Sequence, residues 1–285
     1  MQSSFDLVVI GAGSGGVRAA RWAAKLGAKV AIIEERFLGG TCVNVGCVPK
    51  KMFAYAAELN QQQELATNFG ISQNNRLDWN VLRDNKTREI ERLNGIYGKL
   101  LANSGVTLIE GHGKVSGKNE VSVAGSKLSA QRILVATGGK PFRPDLPGAD
   151  LAAVSDDLFY LPKLPERAVV VGGGYIACEF ASILHGLGVQ VTQLYRGELF
   201  LRGFDDDIRQ FVAKQMAADG IDLRFNADVQ AVYAQKVVLQ DGSTLPCDKV
   251  FFATGRVAKL DDLFAPDMLP SLTDKGQIAV DAAFE

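Results

Sequence analysis

Leu7-Val8-Val9-Ile10-Gly11-Ala12-Gly13-Ser14-Gly15-Gly16 carries an apolar run straight into a glycine-rich turn, and an Ala- and Arg-rich helical segment follows to Leu26. A second apolar run, Val30 to Ile33, comes next. Strand, turn, helix, strand is the order that opens a doubly wound parallel sheet. The same order returns at Arg167: Ala168 to Val171, then Gly172-Gly173-Gly174-Tyr175-Ile176-Ala177, a helix to Leu187, and Val189 to Leu194. One such turn is weak evidence, because glycine-rich turns occur in many loops. Two copies in the same context predict an α/β chain with two Rossmann-like dinucleotide-binding domains, each with a parallel sheet plus a small antiparallel β meander.

Between the copies, Trp79 to Ala102 reads as a polar, charged helix, and Val106 to Val135 alternates like short strands separated by glycine turns. Pro141 to Pro147 and Leu161-Pro162-Lys163-Leu164-Pro165 are the candidate linkers. The expected division is a first domain over 1–144, a second over 145–257, and a return towards the first over 258–285.

The 31 Lys and Arg nearly balance the 32 Asp and Glu, so overall charge gives no reason to expect a nucleic-acid or anionic-membrane partner. No apolar run approaches the roughly 20 residues that span a bilayer. Met1-Gln2-Ser3-Ser4 passes directly into a strand-like segment, so neither signal peptide nor anchor is expected. Four cysteines are too few for a secreted disulfide scaffold of 285 residues, which points to the reducing cytoplasm. A cysteine pair there needs a chemical reason.

In a dinucleotide site the first glycine permits the tight turn, the second lets backbone approach the pyrophosphate, and the third lets the helix pack closely on the strand. Gly11, Gly13 and Gly16 fill these places; Gly172 and Gly174 fill the first two in the second copy, where Ala177 takes the third. The residue ending the second strand distinguishes the copies, since an acid there binds a ribose diol and a base binds a 2′-phosphate. Glu34 holds that place in the first copy. Tyr195 holds it in the second, followed by Arg196 and then Arg202. The first site therefore expects a free ribose, as in FAD, and the second the phosphate of NADPH, which the planar guanidinium fork grips well.

Shortly after Glu34 comes Gly39-Gly40-Thr41-Cys42-Val43-Asn44-Val45-Gly46-Cys47-Val48-Pro49-Lys50. Two thiols with four residues between them, directly after a flavin-type unit, can form a local disulfide within electron-transfer reach of an isoalloxazine ring. Zinc would need two further ligands. Cys178 and Cys247 lack that spacing and read as structural, so no metal is assigned.

This block resembles the redox signature of the FAD-dependent pyridine nucleotide-disulfide reductases, and the likeness is strongest to the glutathione reductase branch. Gly174-Tyr175-Ile176-Ala177-Cys178-Glu179, Arg202-Gly203-Phe204-Asp205, Ala136-Thr137-Gly138-Gly139 and Ala253-Thr254-Gly255-Arg256 support it. The resemblance implies NADPH-dependent, FAD-mediated reduction of glutathione disulfide through Cys42 and Cys47. Cys47 would be the thiol against the flavin, and Cys42 the one that attacks the substrate disulfide. Lys50 matches the lysine near the flavin ring nitrogen, Glu179 its acidic partner, and Tyr175 the aromatic lid of the nicotinamide pocket. Ser14, Gly15, Glu34, Thr41 and Gly113 match FAD-contacting positions; Gly173, Ile176 and Gly255 match NADPH-contacting ones. Ser14, Arg18, Arg21 and Tyr97 match the substrate side, where cations favour a disulfide with free carboxylates. Trypanothione reductase would place an acid at Arg18, and lipoamide dehydrogenase an acid near Tyr195.

Family members go on to a flavin-binding Asp and an interface domain that donates a catalytic His-Glu pair across a homodimer. Neither His112 nor His185 sits in the expected His-Pro context, and Val257-Ala258-Lys259-Leu260 stands where the family has Pro-Asn-Thr. Another low-molecular-weight disulfide, such as trypanothione or glutathione amide disulfide, is the nearest alternative substrate. A non-catalytic dinucleotide-binding fragment is the alternative of a different class.

Overall fold

A computed structural model describes residues 3–71 and 76–285. It divides the chain into two compact units, residues 1–48, 87–140 and 257–285 in the first and residues 49–86 and 141–256 in the second.

The first unit is built on a six-stranded sheet in the order Thr107–Glu110, Val30–Glu34, Ser3–Ile10, Ser126–Val135, Glu120–Val123, Gly113–Gly117. The first four strands run parallel, with Leu7 opposite Val30 and Arg132. The last two pair antiparallel. Thr107–Glu110 is therefore not part of the meander that alternation suggested: it joins the parallel sheet beside Val30–Glu34. A four-residue run looks the same to sequence in either setting. In the central strand Val8, Val9 and Ile10 are buried on both faces, and Leu7 to Ile10 is a continuous apolar run. Val8 and Ile10 point to one layer with Ala31, Ile33 and Val121, while Val9 points to the other with Ala20, Ile32 and Leu101.

Residues 257–285 belong to this unit. Val115 donates its N–H to Leu263 O (2.8 Å) and accepts from Ala265 N (2.8 Å), and Leu263, 2% exposed, enters the core with Phe5 and Val8. The return crossing is thus made without the Pro-Asn-Thr of the family.

In the second unit the sheet order is Asp222–Phe225, Gln190–Tyr195, Arg167–Val171, Lys249–Phe252, Ala153–Val154, all parallel. A separate antiparallel meander, Val229–Tyr233, Lys236–Leu239 and Thr244–Pro246, covers one face through Val232, Val237 and Leu245. The helix Asp206–Ala218 starts where Asp205 accepts hydrogen bonds from Asp207 N and Ile208 N, an N-cap that satisfies otherwise free donors. Trp79, Phe53, Phe159 and Phe180 contact one another in turn through this unit, edge to face for Trp79–Phe53 and Phe159–Phe180 and tilted at 41° for Phe53–Phe159. Among the described residues no helix is long and apolar enough to cross a membrane.

Candidate functional site

The strand Ser3–Ile10 ends at Gly11, whose φ of +105° suits glycine and few other residues. A Cβ on Gly16 would stand 1.9 Å from Gly11 O, so the helix Ser14–Lys25 lies closer to the strand than any side chain allows. Gly15, by contrast, has open space around its Cβ position. A Cβ on Gly40 would come 2.6 Å from Gly13 Cα, so the turn and the start of the cysteine loop pack backbone to backbone. Glu34 braces the turn from the end of the second strand: its Oε2 accepts from Ala12 N (2.7 Å) and its Oε1 from Arg36 N (2.9 Å). A carboxylate offers about four lone pairs, so acceptor capacity remains for a ligand hydroxyl.

A cleft opens here, lined by Gly11, Glu34, Gly113, Thr137, Lys259 and Asp261. Gly113 is buried, and a Cβ there would press on Ile10 and Ile33. On the rim, Glu35 pairs with Lys259 and with His112 Nδ1 (2.7 Å), and His112 Nε2 meets Asp262 O at 3.1 Å. Both partners of His112 are acceptors, so the imidazole satisfies them together only when it carries two protons. The hydrogen bond to Glu35 raises the His112 pKa above its ordinary value, and the hydrogen bonds from Lys259 and then His112 lower that of Glu35.

Cys42 and Cys47 form a disulfide with their Cα atoms 4.7 Å apart. Cys42 lies in the short helix Gly40–Val45, and Cys47 starts the long helix Cys47–Asn68. A helix N-terminus favours a thiolate, so Cys47 is the sulfur better stabilised as an anion once the bridge opens. Gly46 is required between them, since a Cβ there would fall 2.8 Å from Thr41 O. Asn44, 1% exposed, donates to Leu38 O (2.8 Å) and Gly40 O (2.9 Å) and accepts from Asn94 Nδ2 (2.9 Å). These bonds lock the loop to the helix Trp79–Asn103.

In the second unit Gly172 has φ +148° and Gly173 lies on the Tyr195 ring, where a Cβ would be 2.3 Å from Cδ2. Gly174 has no neighbour within 4 Å of its Cβ position, leaving room above the turn. Leu201 N donates to Gly173 O (2.7 Å), which ties the loop carrying exposed Arg202 to the turn; Arg196 is exposed as well. Lys50 Nζ and Glu179 Oε1 form an ion pair at 2.7 Å within this unit. Tyr175 is 59% exposed, and Ile176 is half-buried at the start of the helix Tyr175–Gly186. Gly255, φ +120°, accepts from Phe142 N (2.9 Å).

The profile of the family described as "Pyridine nucleotide-disulphide oxidoreductase" matches residues 5–285. The chain belongs to this family. Among its pyridine nucleotide-disulphide oxidoreductase relatives, the "Glutathione reductase" of Burkholderia cepacia is 48% identical, over 97% of this chain and 63% of that protein. The "Glutathione reductase, chloroplastic/mitochondrial" of Pisum sativum is 42% identical, over 98% of this chain and 54% of that protein. The chain therefore spans less than two thirds of the length of these relatives. Among solved structures it is similar to the "HOCl-induced flavoprotein disulfide reductase RclA from Escherichia coli", with a TM-score of 0.85 and 27% identity, covering 97% of this chain and 62% of that one.

Of the positions matched to the family on the substrate side, Arg18 and Ser14 are exposed on the first helix, Arg21 donates from Nε to Ser104 Oγ (3.1 Å), and Tyr97 packs on the core beside Leu101 and Val106. Thr41 is exposed at the head of the cysteine loop. Sequence reading assigned nothing to Asn44, Glu35 or Lys259. For Asn44 a signal existed, an amide between two cysteines in an otherwise apolar run; for the pair Glu35 and Lys259, 224 residues apart, none did.

Proposed function

We propose that the protein reduces glutathione disulfide with NADPH, using FAD and the Cys42–Cys47 bridge, and does so as a homodimer in the cytoplasm. The observation that carries this reading is the disulfide held in a rigid loop that packs backbone to backbone against a dinucleotide turn. The first turn fits FAD: its glycines form a cradle that a Cβ would fill, Glu34 keeps acceptor capacity for a ribose diol, and Ser14, Gly15, Thr41 and Gly113 line the remaining contacts we assign. The second fits NADPH, with Gly172 to Gly174 under the pyrophosphate, no acid at Tyr195, and Arg196 and Arg202 free to grip a 2′-phosphate. Tyr175, Ile176 and Gly255 complete that assignment. Residues 1–144 would form the flavin-binding part, 145–257 the nicotinamide-binding part and 258–285 the return, although by compactness residues 49–86 group with the second unit.

FAD, held by the Gly11–Gly16 turn and Glu34, would supply the relay through which a hydride from NADPH becomes two electrons for the Cys42–Cys47 bridge. Once opened, the Cys42 thiolate attacks one sulfur of glutathione disulfide and expels one glutathione thiolate, which takes up a proton. Cys47 then attacks the Cys42 sulfur of the mixed disulfide, expelling the second glutathione and restoring the bridge. The helix N-terminus holds Cys47 as the thiolate this second attack needs. Lys50, paired with Glu179, would supply a cation that tunes the flavin, and Arg18 and Arg21, with Tyr97, would select a substrate bearing carboxylates.

Steady-state turnover of glutathione disulfide, with NADPH and with NADH, tests this directly. Turnover that prefers NADPH and disappears in Cys42→Ser and Cys47→Ser supports the reading. Equal use of NADH overturns the nucleotide assignment, and turnover of trypanothione disulfide over glutathione disulfide overturns the substrate.

A further inference from the structure

The two turns solve the same packing problem differently. In the first, the carbonyl of Gly11 points at the third glycine so closely that Gly16 has no room for a Cβ. In the second, the equivalent residue is Ala177, fully buried and carrying the Cβ that the first turn forbids. The Gly172 carbonyl therefore cannot sit where that of Gly11 sits; φ at the two glycines is +148° and +105°. It is held instead by Gln193, whose Nε2 donates to Gly172 O at 3.1 Å and also lies 3.6 Å from Cys178 Sγ. Gln193 stands to Gly172 as Ile32 stands to Gly11, so the first copy places a hydrocarbon at this point.

A glutamine here is costly. Gln193 is 2% exposed and its Oε1 has no hydrogen-bond partner, and a buried unpaired polar atom disfavours the fold. The contact with the Gly172 carbonyl fixes which end of the amide is the donor. We propose that Gln193 is a positioning residue for the nicotinamide nucleotide. A trans peptide holds the C=O of one residue and the N–H of the next in one plane on opposite sides. Drawing the Gly172 carbonyl inward therefore fixes the plane of the Gly172–Gly173 peptide and sets its N–H on the opposite side, towards the strand end that Tyr195 holds, as the Ala12 N–H faces Glu34 in the first turn; a turn fixed in this way is preformed for a pyrophosphate. Ala177 and Gln193 form a matched pair: the alanine excludes the first-turn geometry and the amide secures the alternative.

This rests on reading the second turn as the NADPH site, and the test separates the two. NADP⁺ is titrated calorimetrically into FAD-loaded wild-type protein, Gln193→Met, and the double variant Gln193→Met with Ala177→Gly. Methionine keeps the volume and removes the donor. Gln193→Met is expected to weaken NADP⁺ binding about tenfold, the scale of one lost hydrogen bond, with FAD content unchanged. The added Ala177→Gly lets the turn relax to the Gly11 geometry and is expected to restore most of the affinity. Wild-type affinity in Gln193→Met, or a double variant no better than the single one, overturns the proposal. Should Gln193→Met misfold, Gln193→Leu, closer to Ile32, carries the same expectation. A wild-type protein that retains FAD but binds no NADP⁺ overturns the site assignment and this inference with it.

Discussion

Single atoms decide what each glycine is for. Gly15 and Gly16 are adjacent and chemically identical, yet only Gly16 faces a carbonyl 1.9 Å from its missing Cβ. Gly16→Ala is expected to expel FAD and Gly15→Ala to retain it, as flavin absorbance of the purified proteins would show; equal retention would mean that the helix can slide away from the strand. The rim of the cleft behaves as a pH-dependent clasp. His112 has its pKa raised in the folded protein, so its contribution is full below the ordinary value of 6.5 and fades as pH rises through the raised one. Glu35 has its pKa lowered, so its contribution is full above 4.5 and fades as pH falls through the lowered one. The cluster therefore stabilises most between pH 4.5 and 6.5. Denaturant midpoints measured across that range and up to pH 9 should fall more steeply above it in the wild type than in His112→Gln; parallel curves would show that the clasp contributes nothing.

Elements showed themselves in the sequence to the degree that they are local. The two strand-turn-helix-strand units, the glycine turns, Glu34 and the helix from Trp79 depend on neighbours within one element or the next, and each was legible. The partner of Thr107–Glu110, the support of Gly172 by Gln193, and the clasp of Glu35 by Lys259 depend on residues brought together by the fold, and no periodicity announces them. Asn44 lies between these cases: its position was visible and its job was not. It satisfies two carbonyls of the cysteine loop and an amide of the Trp79–Asn103 helix. Asn44→Ala removes the donor to Gly40 O, while Leu38 O and Asn94 Nδ2 keep their bond to each other, so a loss of about 1 kcal/mol in unfolding free energy is expected. A loss within experimental error would mean that the loop holds itself.

At the scale of the molecule, the chain passes between its two units four times, at 48/49, 86/87, 140/141 and 256/257. Neither unit is a continuous stretch. The last segment sends one side chain, Leu263, into the first unit's core, and Leu263→Ala, hundreds of residues from the strand it covers, is expected to cost about 2–5 kcal/mol as a core truncation does. Thermal unfolding that leaves the first unit's transition unmoved would show that the segment is a passive tail. The interleaving also imposes an order on birth. As the chain leaves the ribosome, the second unit has all its parts once residue 256 has emerged, while the first still lacks the strip that seals Phe5 and Val8. At about 5–20 residues per second, the segment that starts at Ser3 waits through the whole synthesis of its neighbour with an apolar flank open to whatever else the cell offers.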